Sequence, residues 1–301
     1  MSRRDLSRHS DRQHTKFSGI DAFLISKVPA GVLTIDYNGS PLDILNQPAG
    51  SDTTIVVFHT AMSPNMRTIP VFSGGGVTAG LNVNTIMVSD PTLEFDDALN
   101  LAWFAGNKSQ PLQRDLPSVL AHILEEQGAK NVVFFGASGG GFAALYYSAY
   151  FPGSLAIPVN PQIIIKDYQD EAVQAYAAAA FGASDLSGAR DAVTNLITGD
   201  LRHLYRGGHL NTVAYVQNTM DTHHLYRHMA HFMNAIPTSK NMNVLAADWG
   251  RGHVPPPKET TASMLEAVVA SAPRWGDALQ RLGFVQEPAA DYAIVVRESA
   301  A

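Results

Sequence analysis

The sequence predicts an α/β fold: a mostly parallel, doubly wound sheet with a small helical cap. Continuous apolar runs alternate with helical patterns along most of the chain, as in a parallel sheet covered on both faces. The helical segment between two of these runs, at about residues 162–209, contains no strand. A 301-residue chain, 46% hydrophobic and only 16% charged, can bury a large core.

Val32–Tyr37 alternates like a half-exposed strand. Asn38-Gly39 is a hairpin turn into Pro41–Leu45, so the opening pair is expected to be antiparallel. The buried runs are Thr54–Phe58, Asn84–Val88, Asn131–Phe135, Leu155–Val159, Thr212–Val216 and Asn243–Ala247. Helices are predicted over Pro117–Gln127, Phe142–Tyr150, His223–Asn234 and Glu259–Ala270, the last opened by Pro255–Pro257. Within the cap, Asp170–Phe181, Ala189–Thr198 and Asp200–Tyr205 read as helices. No linker composition appears, so residues 17–301 are expected to form one domain carrying the cap as an insertion. Residues 1–16, polar and rich in Arg, Ser and His, are expected to be a loose solvated arm.

Composition excludes several functions. There are no cysteines, so disulfides, thiolate catalysis and cysteine-bound metals are ruled out. A net charge of −6 leaves no basic footprint for nucleic acid. No run reaches the roughly 20 apolar residues of a membrane span, and the N-terminus lacks the apolar stretch of a secretory signal. The expectation is a soluble, cytoplasmic protein; the sequence does not specify its oligomeric state.

The chemistry concentrates in Gly136-Ala137-Ser138-Gly139-Gly140-Gly141, between a buried strand and a helix. This G-x-S-x-G is a nucleophile elbow: the turn is so tight that the serine's neighbours must be nearly free of side chains. The hydroxyl then stands at a helix N-terminus, where free N–H groups favour developing negative charge. Two other readings share these residues. Ser138 can simply cap the helix, and Gly139-x-Gly141-x-x-Ala144 matches a dinucleotide fingerprint. That fingerprint requires an acidic residue after the next strand, where Asn160 stands.

From Val32 to about Ala270 the order of elements resembles the α/β-hydrolase superfamily, whose triad follows as Ser, then Asp or Glu, then His. The resemblance implies Ser138 as nucleophile, with Asp221, in the loop after Thr212–Val216, as the acid. His253, in the loop after Asn243–Ala247, is implied as the base. Asp248 is the alternative acid, and His253 as a plain loop residue is the alternative to its role. The resemblance places the oxyanion hole at the N–H groups of Gly139 and Ala61, although Thr60 stands where the family has glycine. His59 is expected to hold that loop by hydrogen bonds. Ser73–Gly76 reads as a pocket-mouth loop or a turn, and Trp103, Phe104 and Trp249 as pocket walls or core.

His224, His228 and His231 fall on one helix face and could gather a metal. With Leu225, Met229 and Phe232 as the core stripe, they instead read as solvated flanking imidazoles, so no metal and no cofactor is expected. The activity implied is that of a serine hydrolase or esterase on a small-molecule or glycan-linked acyl ester. The alternatives are an O-acyltransferase acting on a sugar or other alcohol, and a non-catalytic member that only binds. The glycine-rich elbow with a reduced cap resembles glycan-modifying acyltransferases of accessory secretion systems.

Overall fold

A computed structural model describes residues 3–63, 68–237 and 239–286. The ends of the expected arm and domain, residues 1–2 and 287–301, lie outside the described residues. The strands are β1 (His14–Phe17), β2 (Gly31–Tyr37), β3 (Ser40–Gln47), β4 (Thr53–Phe58), β5 (Asn84–Val88), β6 (Asn131–Ala137), β7 (Leu155–Val159), β8 (Thr212–Asn218), β9 (Met242–Ala247) and β10 (Val285–Gln286). They form one sheet in the order β1-β2-β3-β5-β4-β6-β7-β8-β9-β10. Strands β5, β4, β6, β7, β8 and β9 are mutually parallel. Strand β3 runs antiparallel to both β2 and β5, and β10 antiparallel to β9. The β2–β3 turn is made by Asn38 and Gly39, both at positive φ (55° and 88°), the conformation a tight hairpin requires.

The helices are α1 (Ile20–Leu24), α2 (Gly75–Thr78), α3 (Leu112–Glu126), α4 (Gly139–Ser148), α5 (Asp170–Phe181), α6 (Leu186–Asn195), α7 (Arg202–Tyr205), α8 (Thr222–His224), α9 (Ala230–Ala235), α10 (Lys258–Ser271) and α11 (Trp275–Arg281). They pack in two layers. One apolar cluster combines Val56, Phe58 and Phe134 of the sheet with α3, α4 and the cap helix α5. The other sets Ile55, Val133, Ile157 and Val216 against α10 and α11. Strands buried on both faces read as continuous apolar runs because each alternate side chain has its own core.

Three expectations need correction. Helix α3 starts at Leu112 and contains Pro117 rather than starting there. Pro117 has no N–H for the carbonyl of Gln113, which accepts from the Tyr146 hydroxyl (3.3 Å) instead. Residues 3–16 are not a loose arm. Arg3 donates to the carbonyls of Leu93, Asp96 and Leu99, and β1 adds to the sheet alongside β2. Arg4 grips buried Asp43 through two bonds of 2.8 Å, and Thr34 donates to the same carboxylate. Charge placed by tertiary pairing leaves no periodic signal in a sequence. Finally, His224 and His228 are not solvated: they are 3% and 0% exposed. A π turn at Leu225–Met229 joins α8 to α9 and changes the face that follows.

Because Asp43 is 3% exposed, removing its cation leaves a buried charge without its main partner. Arg4→Met should therefore destabilise by about 2–3 kcal/mol, read as a lower urea midpoint at unchanged slope. An unchanged midpoint would show that the segment is not a structural part of the sheet.

Candidate active site

Ser138 joins β6 to α4 with φ 55° and ψ −120°, backbone values that non-glycine residues rarely adopt. Close packing enforces this strain. A Cβ on Gly136 would collide with the Gly140 carbonyl, and one on Gly140 with the Phe58 carbonyl, so α4 sits hard against β4 and its own strand. The glycines supply space, and the serine takes the strained conformation. The Ser138 N–H donates to the Val159 carbonyl, while its own carbonyl accepts from Gly141 and Phe142. Its side chain does not cap α4. Instead Oγ accepts from Gln162 Nε2 at 2.8 Å.

Asp221, after β8, is 3% exposed and meets two imidazoles. His253 Nδ1 lies 2.6 Å from Oδ2, and His224 Nδ1 lies 3.0 Å from Oδ1. Burial opposes ionisation of this carboxyl, but the hydrogen bonds from His224 and His253 outweigh it and hold Asp221 well below the usual carboxylate range. Asp248 is exposed and accepts from Gly250 N–H within its own loop, and among the described residues no hydrogen bond joins it to His253. Among the described residues, no hydrogen bond joins Ser138 Oγ to His253.

The loop carrying His253 is clamped by Asn218, at the end of β8. Its Nδ2 donates to the carbonyls of Gly250, Gly252 and Val254, and its Oδ1 accepts from the N–H groups of Met220 and Trp249. Asn160, after β7, accepts the Asn218 N–H and donates to Val254. The acid loop and the histidine loop are thus tied to each other. Sequence reasoning missed Gln162, His224, Asn160 and Asn218 as parts of the site. The available signal was a polar residue just beyond a predicted buried run, Asn160 after Leu155–Val159 and Asn218 after Thr212–Val216, where this kind of sheet gathers its chemistry. Gln162 and His224 carried no such signal.

After β4, His59 anchors the loop holding Ala61. Its Nε2 accepts from Asp90 N–H (3.1 Å) and its Nδ1 donates to the Thr60 carbonyl (2.8 Å), which requires a neutral ring. Among the described residues, no hydrogen bond engages the N–H of Ala61 or of Gly139. Trp103 and Phe104 are core, 1% and 2% exposed, and both have positive φ. Asp90 holds this strained pair by accepting from Phe104 N–H. Ser73–Gly76 runs into the short helix α2.

Asp221, His224 and His253 bring three potential metal-ligand atoms within 4.8 Å of one another. However, the two rings stack 4.0 Å apart at only 15°, so one ion cannot lie in both ring planes. The arrangement suits two protons shared with one carboxylate. His231 is not part of this group.

No protein-family model matches the sequence, and no curated protein matches it. Among solved structures, the chain is similar to the capsule O-acetyltransferase of Neisseria meningitidis serogroup A. The two are 15% identical over 82% of this chain and 97% of that one, with a TM-score of 0.59. It is also similar to a glycosylation-associated protein (Gap123) complex from Streptococcus agalactiae, at 16% identity over 79% of this chain and 46% of that one, with a TM-score of 0.57. A third similar structure is Mycobacterium tuberculosis MPT51, at 13% identity over 84% and 99% of the two chains, with a TM-score of 0.53. Together with the strand order, these likenesses show that the chain has the α/β-hydrolase fold. No described helix is long and apolar enough to cross a membrane.

The neutral His59 gives a pH prediction with a definite sign. Burial draws its pKa down to about 4, against the bond to Thr60. The unfolded chain takes up this proton below about 6.5, so its contribution is lost as pH falls through that window. Asp90 acts oppositely: burial raises it to about 6, so its contribution is lost as pH rises towards 6. His59→Gln keeps a donor and an acceptor but cannot titrate. Between pH 6.5 and 4, urea stability should move in the variant's favour relative to the parent by about 3 kcal/mol. A pH-independent difference would contradict the neutral anchoring role.

Proposed function

We propose that this protein is a serine hydrolase acting on carboxylic esters through an acyl-serine intermediate. In this reading Ser138 is the nucleophile, His253 the base and Asp221 the acid that orients it, with the N–H groups of Ala61 and Gly139 as the oxyanion hole. One observation carries the reading. A strained serine stands at the strand–helix elbow, and beside it a buried, ionised Asp221 grips an imidazole at 2.6 Å.

The chemistry follows from these groups. Ser138 Oγ attacks the acyl carbon as its proton passes to His253 Nε2. Asp221 stabilises the resulting imidazolium through Nδ1–H. Charge developing on the carbonyl oxygen falls to the two backbone donors. Collapse expels the alcohol, which leaves with the proton from His253. Water, activated by the same histidine, then releases the acid. Catalytic hydrogen bonds commonly tighten only around substrate, so the missing Ser138–His253 bond is compatible with this sequence. The substrate in this reading is a small-molecule or glycan-linked acyl ester, and the setting cytoplasmic.

A second reading replaces water by a sugar hydroxyl, making the protein an O-acyltransferase. The likeness to a capsule O-acetyltransferase favours it.

Assigning the base is the sharpest test, because Asp221 bonds two histidines. On p-nitrophenyl acetate, with and without alcohol acceptors, Ser138→Ala and His253→Ala should each lose nearly all turnover, on the order of 10⁶-fold in kcat. Asp221→Asn should lose roughly 10³–10⁴-fold while remaining folded, and Asp248→Asn should stay within about tenfold. A dead His224→Ala beside an active His253→Ala would transfer the base to His224 and reject this assignment.

A further inference from the structure

The side chain of Gln162 has one orientation open to it. The Trp103 indole N–H, which can only donate, points at Gln162 Oε1 from 3.2 Å. The amide nitrogen therefore faces the other way, where it meets Ser138 Oγ at 2.8 Å and His224 Nε2 at 2.8 Å. Its two N–H groups match these two acceptors, and the whole side chain is buried. His224 Nε2 must then present a lone pair, so the ring proton is on Nδ1, which donates to Asp221. The neighbouring backbone is fixed as well. His228 Nδ1 accepts the N–H of Ile163 at 3.2 Å, which places the His228 proton on Nε2 and pins the chain one residue beyond Gln162.

We propose that Gln162 is a catalytic residue that holds Ser138 Oγ as an acceptor and locks His224 as the neutral Nδ1–H tautomer, leaving His253 as the sole proton acceptor for Ser138. This inference rests on the serine-hydrolase reading above. The lock matters because the His224 and His253 rings stack 4.0 Å apart. When His253 takes the proton of Ser138, a second cation at that distance would oppose the charge. The groups facing His224 are Asp221, His223, His228, His253 and Tyr168. Burial also lowers the pKa of His224, against the bond to Asp221. Since an occupied Nε2 lone pair cannot take the serine proton, the two imidazoles on one carboxylate have different tasks. His224 secures the acid, and His253 moves the proton.

Long-range ¹H–¹⁵N NMR on the labelled full-length protein reads the ring states directly. His224 should show a protonated Nδ1 and a bare Nε2 throughout pH 5 to 8. In Gln162→Glu the donor becomes an acceptor, so His224 should carry both protons at pH 7. With p-nitrophenyl acetate, kcat of this variant should fall about 10²-fold with KM within about threefold. Gln162→Leu, which can neither donate nor accept, should lower kcat similarly and guards against misfolding of the charged variant. A proton on Nε2, or a charged ring at pH 7 in the parent protein, would overturn the proposal, as would full kcat in both variants. Ser138→Ala separates the two claims: retained turnover there rejects the nucleophile, whereas lost turnover there with active Gln162 variants rejects only the role of Gln162.

Discussion

The site depends on keeping a carboxylate charged where little water reaches it. Asp221 is 3% exposed, and burial alone would push it towards the neutral acid. Two imidazole N–H groups and the backbone N–H of His224 reverse that preference. Once ionised, the carboxylate fixes the proton of each ring on Nδ1 and turns each Nε2 outward. One of those nitrogens accepts from Gln162, and among the described residues no hydrogen bond engages the other. A protonated Asp221 would lose both constraints together.

A second constraint is steric and begins in the sheet. Strand β4 lies between β5 and β6, and Gly140 of α4 packs on the carbonyl of Phe58 at its end. The same strand end leads into His59 and Ala61. The serine elbow and the Ala61 loop are thus positioned by one contact between a helix and a strand. Asn160 and Asn218 do the same for the far side, binding the loops after β8 and β9 to each other. The site is assembled from strand ends, and its loops are fixed by side-chain amides in place of regular structure.

Much of this was legible in the sequence, and the reason is periodicity. Strands buried on both faces need unbroken apolar runs, so β4 to β9 could be read within a residue or two. The G-x-S-x-G pattern could be read because only glycines fit where Gly136 and Gly140 sit. The glycines of the dinucleotide pattern, Gly139 and Gly141, face side chains of the protein itself: a Cβ would meet Leu101 on the first and Pro161 on the second. Other features had no local signal. Gln162 follows Asn160 and Pro161 in what looks like an ordinary loop, and its task is set by Trp103, 59 residues away in sequence. His224 and His228 look like a solvated helix flank in the sequence because their partners, Asp221 and Gln162 for the one and the Ile163 N–H for the other, leave no mark on helical spacing. The docking of residues 3–16 depends on Arg3 and Arg4 meeting partners far along the chain, which no window of sequence reveals.

The central claim is that Ser138 is an activated nucleophile, and a fluorophosphonate probe tests it most directly. The reagent is attacked only by a serine whose proton has somewhere to go. Digestion of the treated full-length protein followed by mass spectrometry should find a single phosphonyl group on the peptide containing Ser138. No adduct should form after Ser138→Ala or after thermal unfolding. An unmodified Ser138 in the folded protein, or an adduct on another residue, would contradict the account.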